Sequence, residues 1–260
     1  MQERDTMREF ADLSLERNSP LPAYYQIQAY IEKLIREKRI IPGDRLPSER
    51  EFVSVFPVSR MTYRQTLGEL AQLGLLVRRQ GSGTYVAYPK IGSSPMQVTS
   101  FSENMAGSGL RAGARTLKKQ RFARPLPDVA AALMLPADHP VIYLSRIRLA
   151  DDRPVVLEQS WLDAVLYESL LTIDLTDRSL YRVLKEQFDI TITRRSESIE
   201  AALCDEKLSR KLGIYAGAPL LKTVGTGYDG QGRPVEYTVS HYRGDLYRFT
   251  VTGYRELSGE

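Results

Sequence analysis

Residues Val58 to Val86 read VSRMTYRQTLGELAQLGLLVRRQGSGTYV, a stretch that begins as a helix and ends as a basic hairpin. Ser59 is a residue type that caps helices, and Tyr63 and Leu67 follow on one helical face. Gly74 ends the pattern, and two short apolar strands joined by QGSG come next. The stretch therefore predicts a helix followed by a two-stranded wing.

Two more helices are predicted upstream of this stretch. Residues 22–40 place apolar side chains at helical spacing, and the sequence PGD at 42–44 ends that helix. The second helix begins at Ser48, where the sequence SERE forms a capping box with Glu51, and it stops before Pro57. Three helices followed by a wing are the plan of a winged helix-turn-helix domain.

The distribution of charge points to the same segment. The chain has 260 residues, enough for two domains, and a net charge of +4. Residues 20–90 hold 11 Lys and Arg against 6 Asp and Glu, whereas residues 1–19 hold 3 against 5. A basic excess on one small domain indicates a nucleic-acid partner, and the acidic first 19 residues are expected to be a solvated extension.

The arginines of this segment are placed to contact DNA. Arg60 and Arg64 lie four residues apart, so they project from the same side of the third helix, and Ser59 stands at its N-terminus. Arg50, at the start of the second helix, is expected near the same surface, and Gly81 lets the wing approach a sugar-phosphate edge. Either arginine alone would be an ordinary solvated side chain, but together these residues predict a major-groove reading head.

The N-terminal segment resembles the DNA-binding domain of GntR-type bacterial transcription regulators. PGDRLPSERE, VSRMTYRQTL and RRQGSGTYV carry the resemblance, although Pro57 stands where the family usually has glycine. The resemblance implies DNA-contacting roles for Arg50, Ser59, Arg60, Thr62, Arg64 and Gly81.

A second domain is expected after a linker. The sequence PKIGSSPMQVT at 89–99 is rich in Pro, Gly and Ser and lacks periodicity. Beyond it, hairpins around Asp151-Asp152 and around DGQG alternate irregularly with short helices, which indicates an α+β fold with a largely antiparallel sheet. The short helices are predicted at about 127–134, 164–170, 179–187 and 205–212. The predicted domains are an extension (1–19), a winged helix-turn-helix domain (20–88), the linker (89–99) and the second domain (100–260).

Charged residues of the first hairpin suggest a ligand site. Arg146 and Arg148 lie two apart on one strand, so they share a face, and pairing around the Asp-Asp turn places Glu158 opposite Arg146. Ser179 begins a helix whose N-terminus suits an anion. The Arg146–Glu158 pair alone would be an ordinary cross-strand ion pair, but with Ser179, Glu236 and Tyr242 also present we predict a pocket.

The second domain resembles the effector-binding UTRA domain of the HutC subfamily, which has a chorismate-lyase-like fold. LSRIRLADDRPVVLEQSWL and DGQGRPVEYTVSHYRGDLYRF are its clearest markers. By resemblance to members that bind phosphorylated amino sugars, the effector-binding positions are Phe101, Ser102, Arg146, Arg148, Glu158, Ser179, Tyr181, Glu236 and Tyr242.

Enzymatic function is disfavoured by the sequence. The chain has two histidines, His139 and His241, outside metal-ligand spacing, and one cysteine, Cys204, so we expect no metal site, no cofactor and no disulfide. No nucleophile-elbow or Cys/His motif appears. An enzyme built on the lyase-like fold would turn its ligand over, and a general chromatin-like DNA binder would not respond to metabolites.

The sequence therefore predicts a cytoplasmic, homodimeric repressor that binds a palindromic operator in double-stranded DNA. It has no signal sequence or membrane span, and one cysteine fits a reducing compartment. The expected effector is a small anionic metabolite such as a phosphorylated sugar or amino sugar; a urocanate-like carboxylate or a phosphonate is the alternative. The effector's identity, the operator sequence and the sign of regulation stay open.

Overall fold

The computed structural model describes residues 6–16, 19–79, 81–94 and 98–252. The remaining positions, which include Gln80 of the wing turn and parts of the predicted extension, linker and C-terminus, lie outside the described residues. The chain divides into two compact units, residues 1–89 and residues 90–260.

The N-terminal unit has three helices and a two-stranded hairpin. The helices are α1 (Ala23–Arg36), α2 (Glu49–Val55) and α3 (Arg60–Gln72), and the hairpin strands are β1 (Leu76–Arg79) and β2 (Gly83–Val86), which pair antiparallel. This is the predicted order of the winged helix-turn-helix plan.

Local signals set the helix boundaries in this unit. Ser48 and Glu51 form the predicted capping box at the start of α2, and the Ser59 side chain caps α3 by accepting from the Thr62 N–H. The stacked rings of Phe52 and Tyr63, with centroids 3.9 Å apart, hold α2 against α3. The core between the helices therefore fixes where the first turn of α3 emerges at the surface.

The segment before α1 differs from the expected solvated extension. Residues Thr6–Phe10 form a 3₁₀ helix, and Phe10 is fully buried in the core of the N-terminal unit. Its ring meets Phe52 edge-on at 5.5 Å, and Tyr30 donates a hydrogen bond to the Glu9 carbonyl. One buried aromatic ring outweighs the polar character of its neighbours, because its burial removes a large apolar surface from water.

The C-terminal unit is built on a six-stranded antiparallel sheet. Its strands are β4 (Ala112–Phe122), β5 (Val141–Ala150), β6 (Arg153–Asp163), β7 (Ile192–Leu203), β8 (Pro219–Asp229) and β9 (Pro234–Arg243). Their order across the sheet is β4-β5-β6-β9-β8-β7. The helices are α4 (Phe101–Gly107), α5 (Pro127–Leu133), α6 (Leu180–Phe188) and α7 (Glu206–Leu212). The α+β prediction with an antiparallel sheet is confirmed.

The first hairpin has the predicted register. Asp151 and Asp152 both have positive φ, 46° and 65°, as a two-residue hairpin turn requires. Arg146 lies opposite Glu158 across β5 and β6. The turn therefore decides which side chains share the face on which the pocket forms.

Two details depart from the sequence predictions. The helix expected at about 164–170 is a turn followed by a 3₁₀ helix, Glu168–Leu171. Within the predicted linker, β3 (Ile91–Ser93) pairs in parallel with β10 (Tyr247–Phe249), and Ile91 is buried. Residues 91–93 join the C-terminal unit because a strand from the far end of the chain satisfies their backbone hydrogen bonds.

Candidate functional site: a nucleic-acid interface and a ligand pocket

The first turn of α3 is organised by Ser59 and Thr62. The Thr62 N–H donates to Ser59 Oγ at 3.0 Å, and the two hydroxyl groups lie 2.8 Å apart. Ser59 is exposed and Thr62 half-buried. Both hydroxyls therefore sit at the positive end of the helix dipole, where a phosphate group would be stabilised.

A concave face forms between α2, α3 and the wing. It is lined by Arg45, Ser48, Glu49, Arg50, Arg60, Arg78, Gly81, Gly83 and their neighbours. Arg50 and Arg60 are exposed and make no hydrogen bond or ion pair with any residue that the structure describes. Two unengaged guanidinium groups on one concave face suit the phosphates and base edges of DNA.

Arg64 is held differently from Arg60. Its Nε and Nη2 donate to the two carboxylate oxygens of Glu49 at 2.7 and 2.6 Å. The pKa of Glu49 is lowered, first by this hydrogen bonding and further by the charges of Arg64, Arg78 and Arg60, although burial acts in the opposite direction. Sequence reasoning placed Arg64 at this surface but missed its partner.

The wing is attached to α3 and reaches outward through glycines. Arg78 Nη2 donates to the Arg64 carbonyl at 2.8 Å, which fixes the hairpin against the helix. Gly81 and Gly83 have φ of +73° and +125°, and a Cβ at Gly83 would lie 3.0 Å from Arg45 Nε. The turn therefore needs glycine, and its exposed backbone can approach a groove closely.

In the C-terminal unit, a pocket brings most of the predicted effector residues together. The free space within it, about 380 Å³, includes open solvent, and its lining is mostly polar and charged. Eight predicted residues line it: Phe101, Arg146, Arg148, Glu158, Ser179, Tyr181, Glu236 and Tyr242. The ninth, Ser102, lies beside the lining and accepts a hydrogen bond from Arg148 Nη2 at 3.2 Å. A second cavity shares Phe101, Glu158, Arg195 and Tyr242 with this pocket.

Two buried arginines share one carboxylate at the pocket floor. Arg146 Nη2 donates to Glu158 Oε1, and Arg148 Nη1 lies 3.9 Å from the same oxygen. Burial raises the pKa of Glu158, but Arg146 and Arg148 outweigh it and the pKa is lowered. Burial and the charge of Arg146 lower the pKa of Arg148 to about 10, so it stays protonated at neutral pH. Arg146, Arg148 and Glu158 together therefore carry a net positive charge in a site that is shielded from water.

The arginines retain donors for a ligand. The Nε atoms of Arg146 and Arg148 are buried and have no hydrogen-bond partner among the residues that the structure describes. Arg148 also stacks against Phe101, with its guanidinium carbon 4.7 Å from the ring centroid. Phe101 and Ser102 open α4, so Arg148 connects that helix to the sheet.

Hydroxyl and carboxyl groups complete the pocket. Ser179 caps α6, its Oγ accepting from the Arg182 N–H at 3.4 Å. The pKa of Glu236 is raised by burial and by the nearby Glu158, which outweigh the opposing arginines. Burial also raises the pKa of Tyr181 and of Tyr242, so their hydroxyls remain neutral donors.

Arg195 is a pocket residue that sequence reasoning missed. It lies on β7 and donates to the Tyr181 hydroxyl, to Glu197 and to Thr238 Oγ1, each at 3.1 Å. Burial lowers its pKa, but Tyr181 and Glu197 reverse the effect and the pKa is raised. The available signal was the two-residue spacing of Arg195 and Glu197, which puts both on one strand face, as with Arg146 and Arg148.

The described residues contain no group of three His, Cys, Asp or Glu side chains able to hold a metal ion. Among the same residues, no helix is long and apolar enough to cross a membrane. The two sites together define a DNA-binding regulator whose second unit holds a small-molecule pocket.

Family models match both units. Residues 23–86 match the model described as bacterial regulatory proteins, gntR family, and residues 107–248 match the UTRA domain. The chain belongs to the GntR family of bacterial transcription regulators, in the HutC subfamily that carries a UTRA domain. It is a regulator and not an enzyme.

Individual relatives are similar in sequence along nearly the whole chain. The transcriptional repressor NagR of Bacillus subtilis is 34% identical over 91% of this chain and 97% of its own. The repressor MngR of the Escherichia coli mannosyl-D-glycerate transport/metabolism system is 31% identical over 91% of this chain and 98% of its own. The crystal structure of PhnF from Mycobacterium smegmatis is similar, with 31% identity, a TM-score of 0.65, and coverage of 88% of this chain and 100% of PhnF.

Proposed function

We propose that the protein is a repressor that leaves its operator when a small anionic metabolite, a phosphorylated sugar or amino sugar, binds the pocket of the C-terminal unit. Arg50, Ser59, Arg60, Thr62, Arg64 and Gly81 contact the operator. The nine predicted effector residues, joined by Arg195, contact the metabolite.

The excess positive charge at the pocket floor carries this proposal. Arg146 and Arg148 are both 2% exposed and have Glu158 as their shared counter-charge. An anion that enters the pocket balances the second arginine and accepts hydrogen bonds from buried donors, which makes charge-assisted bonds in a low dielectric. Ser179 and the start of α6 add further donors.

The remaining pocket groups favour a ligand with hydroxyl or amine groups. The carboxylate of Glu158 can accept hydrogen bonds from a ligand. The carboxyl group of Glu236 and the hydroxyls of Tyr181 and Tyr242 also line the cavity and can form hydrogen bonds with the ligand. A sugar ring presents hydroxyls in several directions, and an amino sugar adds a cation for a carboxylate. The similarity to MngR supports a sugar-derived anion, because the metabolite in its name joins a sugar to an acid.

The regulator is proposed to act as a homodimer in the cytoplasm, where operator DNA lies. One small winged domain reaches few base pairs, and DNA-reading dimers mirror the two-fold symmetry of their sites. For release, the metabolite must bind more tightly to a dimer geometry whose two wings do not match the operator spacing. Sedimentation that finds only monomer, free and on DNA, would exclude this arrangement.

A ligand screen followed by operator binding tests the proposed function. The melting temperature of the full-length protein is measured with sugar phosphates, their unphosphorylated counterparts, small carboxylates and phosphonates. A ligand that binds the folded state raises this temperature. We expect stabilisation by a sugar phosphate but not by its unphosphorylated counterpart, together with weaker operator binding. Stabilisation by a carboxylate or phosphonate alone would replace the proposed ligand class.

A further inference from the structure

Glu49 and Arg64 form a two-point contact between α2 and α3. Glu49 is the first residue of α2, and its two oxygens accept from Arg64 Nε and Nη2 at 2.7 and 2.6 Å. This side-on geometry matches the planar fork of the guanidinium to the carboxylate. It therefore fixes both the position and the plane of the Arg64 guanidinium.

The contact leaves the outer edge of Arg64 available. A guanidinium has five N–H donors, and the contact with Glu49 uses one on Nε and one on Nη2. The Nη1 and Nη2 atoms retain donors that point end-on, the arrangement that pairs with guanine O6 and N7. The Arg64 side chain is 54% exposed and that of Glu49 28%, so the arginine lies on the solvent side of the pair.

Charge alone would make Glu49 unfavourable at this place. It is the acidic member of the described residues that line the concave face, among Arg45, Arg50, Arg60 and Arg78. Its lowered pKa keeps it ionised at neutral pH. A carboxylate that faces a polyanion weakens binding to every DNA sequence alike. A benefit to operator binding can come from the orientation that it gives Arg64 or from a direct hydrogen bond with a cytosine amino group, and only the first depends on Arg64.

The backbone of Arg64 is held as well. Arg78, on the wing strand β1, donates from Nη2 to the Arg64 carbonyl at 2.8 Å. Arg64 is thus held at its side chain by α2 and at its main chain by the wing. An arginine that is ordered before binding loses less rotamer freedom when it meets a base.

We propose that Glu49 is a specificity-determining positioning residue that orients Arg64 towards one base pair of each operator half-site. The inference rests on the proposed role of Arg64 in operator contact. Glu49 itself acts through Arg64 and lowers affinity for DNA in general.

The test compares specific and non-specific binding by the full-length protein. An operator is first selected from a random duplex pool with the wild type, and each base pair is then varied to find where Arg64→Ala loses discrimination. Glu49→Gln, which keeps size but removes charge, is expected to lose discrimination at that same base pair by about 10-fold or more. Its affinity for an unrelated duplex is expected to be unchanged or higher.

A double-mutant cycle and a matched control complete the test. In the Arg64→Ala background, Glu49→Gln should cause no further loss of discrimination, because its effect passes through Arg64. Glu69→Gln removes an acid on α3 that contacts Gln65 and should leave discrimination intact. Melting curves of each variant verify folding.

The outcomes separate the inference from the proposed function. Equal gains by Glu49→Gln on operator and unrelated duplex would show simple repulsion and overturn the inference. The inference would also be overturned if Glu49→Gln lost as much discrimination in the Arg64→Ala protein as in the wild type, since Glu49 would then act independently of Arg64. Failure of the wild type to select any sequence, or full discrimination by Arg64→Ala, would instead contradict the proposed function of this surface.

Discussion

Arg146 and Glu158 lie directly opposite each other on strands β5 and β6, and a hydrogen bond joins their side chains inside the pocket. Arg146 also donates from Nη1 to the Arg178 carbonyl at 3.2 Å, just before the helix α6 begins. The pair therefore links the sheet to the segment that presents Ser179. Arg148 approaches the same carboxylate less closely, which leaves its charge available for a ligand.

Glu158→Gln should destabilise the C-terminal unit. The folded pKa of Glu158 is lowered, so its contribution to stability is present above the ordinary carboxyl pKa and is lost as pH falls through the folded value. Removing its charge at pH 7 takes the nearest counter-charge from two buried arginines, a loss of about 3 kcal/mol. Urea unfolding followed by the fluorescence of Trp161, the single tryptophan, reports this unit. An unchanged midpoint would contradict the account.

Glu236→Gln, unlike Glu158→Gln, should not destabilise the C-terminal unit at pH 7. The pKa of Glu236 is raised, so wild-type stability falls as pH rises from the ordinary carboxyl pKa through the folded value. Glutamine removes that pH dependence and is expected to leave the unit as stable as the wild type or more so at pH 7. The Trp161 unfolding midpoint between pH 4 and 8 measures this. A steady loss of stability in the variant would mean that the ionised carboxylate has a stabilising partner.

Short-range sequence signals, namely helix caps and a two-residue turn, made the DNA-facing helices and the first hairpin predictable. The boundaries of α2 and α3 follow from Ser48 and Ser59, whose caps act within one turn. The register of Arg146 with Glu158 follows from the two-residue turn between the strands. Alternation along a strand then gives the shared face of Arg146 and Arg148. The ligand and operator roles of these residues stay predictions.

Features that depend on distant partners were not predictable. The strand at residues 91–93 exists because Tyr247–Phe249 pair with it. The edge strand β7, with sequence ITRRSESIEAAL, is largely exposed and lacks a run of buried apolar residues. The strand itself was therefore not predicted, and without it the spacing of Arg195 and Glu197 could not be interpreted. The burial of Phe10 depends on its packing against Tyr30 of α1 and Phe52 of α2, while most of its neighbours in sequence are charged.

Arg60→Ala should weaken operator binding by about 1–3 kcal/mol, the range for an arginine that contacts a base. Arg60 is exposed at the start of α3 without a described partner, so its loss should leave the fold intact. Arg50→Ala is expected to act similarly. Arg36→Ala, at the end of α1, removes the same charge from outside the concave face and serves as the control. Titration of a labelled operator at fixed salt measures the affinity of all three variants. An equally small loss of affinity in all three would indicate a general charge effect and contradict the prediction.

The pocket of the C-terminal unit is proposed to control DNA binding, and Arg148→Ala is the sharpest test of that control. The measurement is operator affinity of the wild type and of Arg148→Ala, with and without the metabolite found by the thermal screen, and with Arg210→Ala on α7 as control. We expect the metabolite to lower the affinity of the wild type and of Arg210→Ala by about 5–150-fold. Arg148→Ala should bind the operator as the wild type does without metabolite and should no longer respond to it. A full response in Arg148→Ala would contradict the account, and so would loss of its operator binding without metabolite.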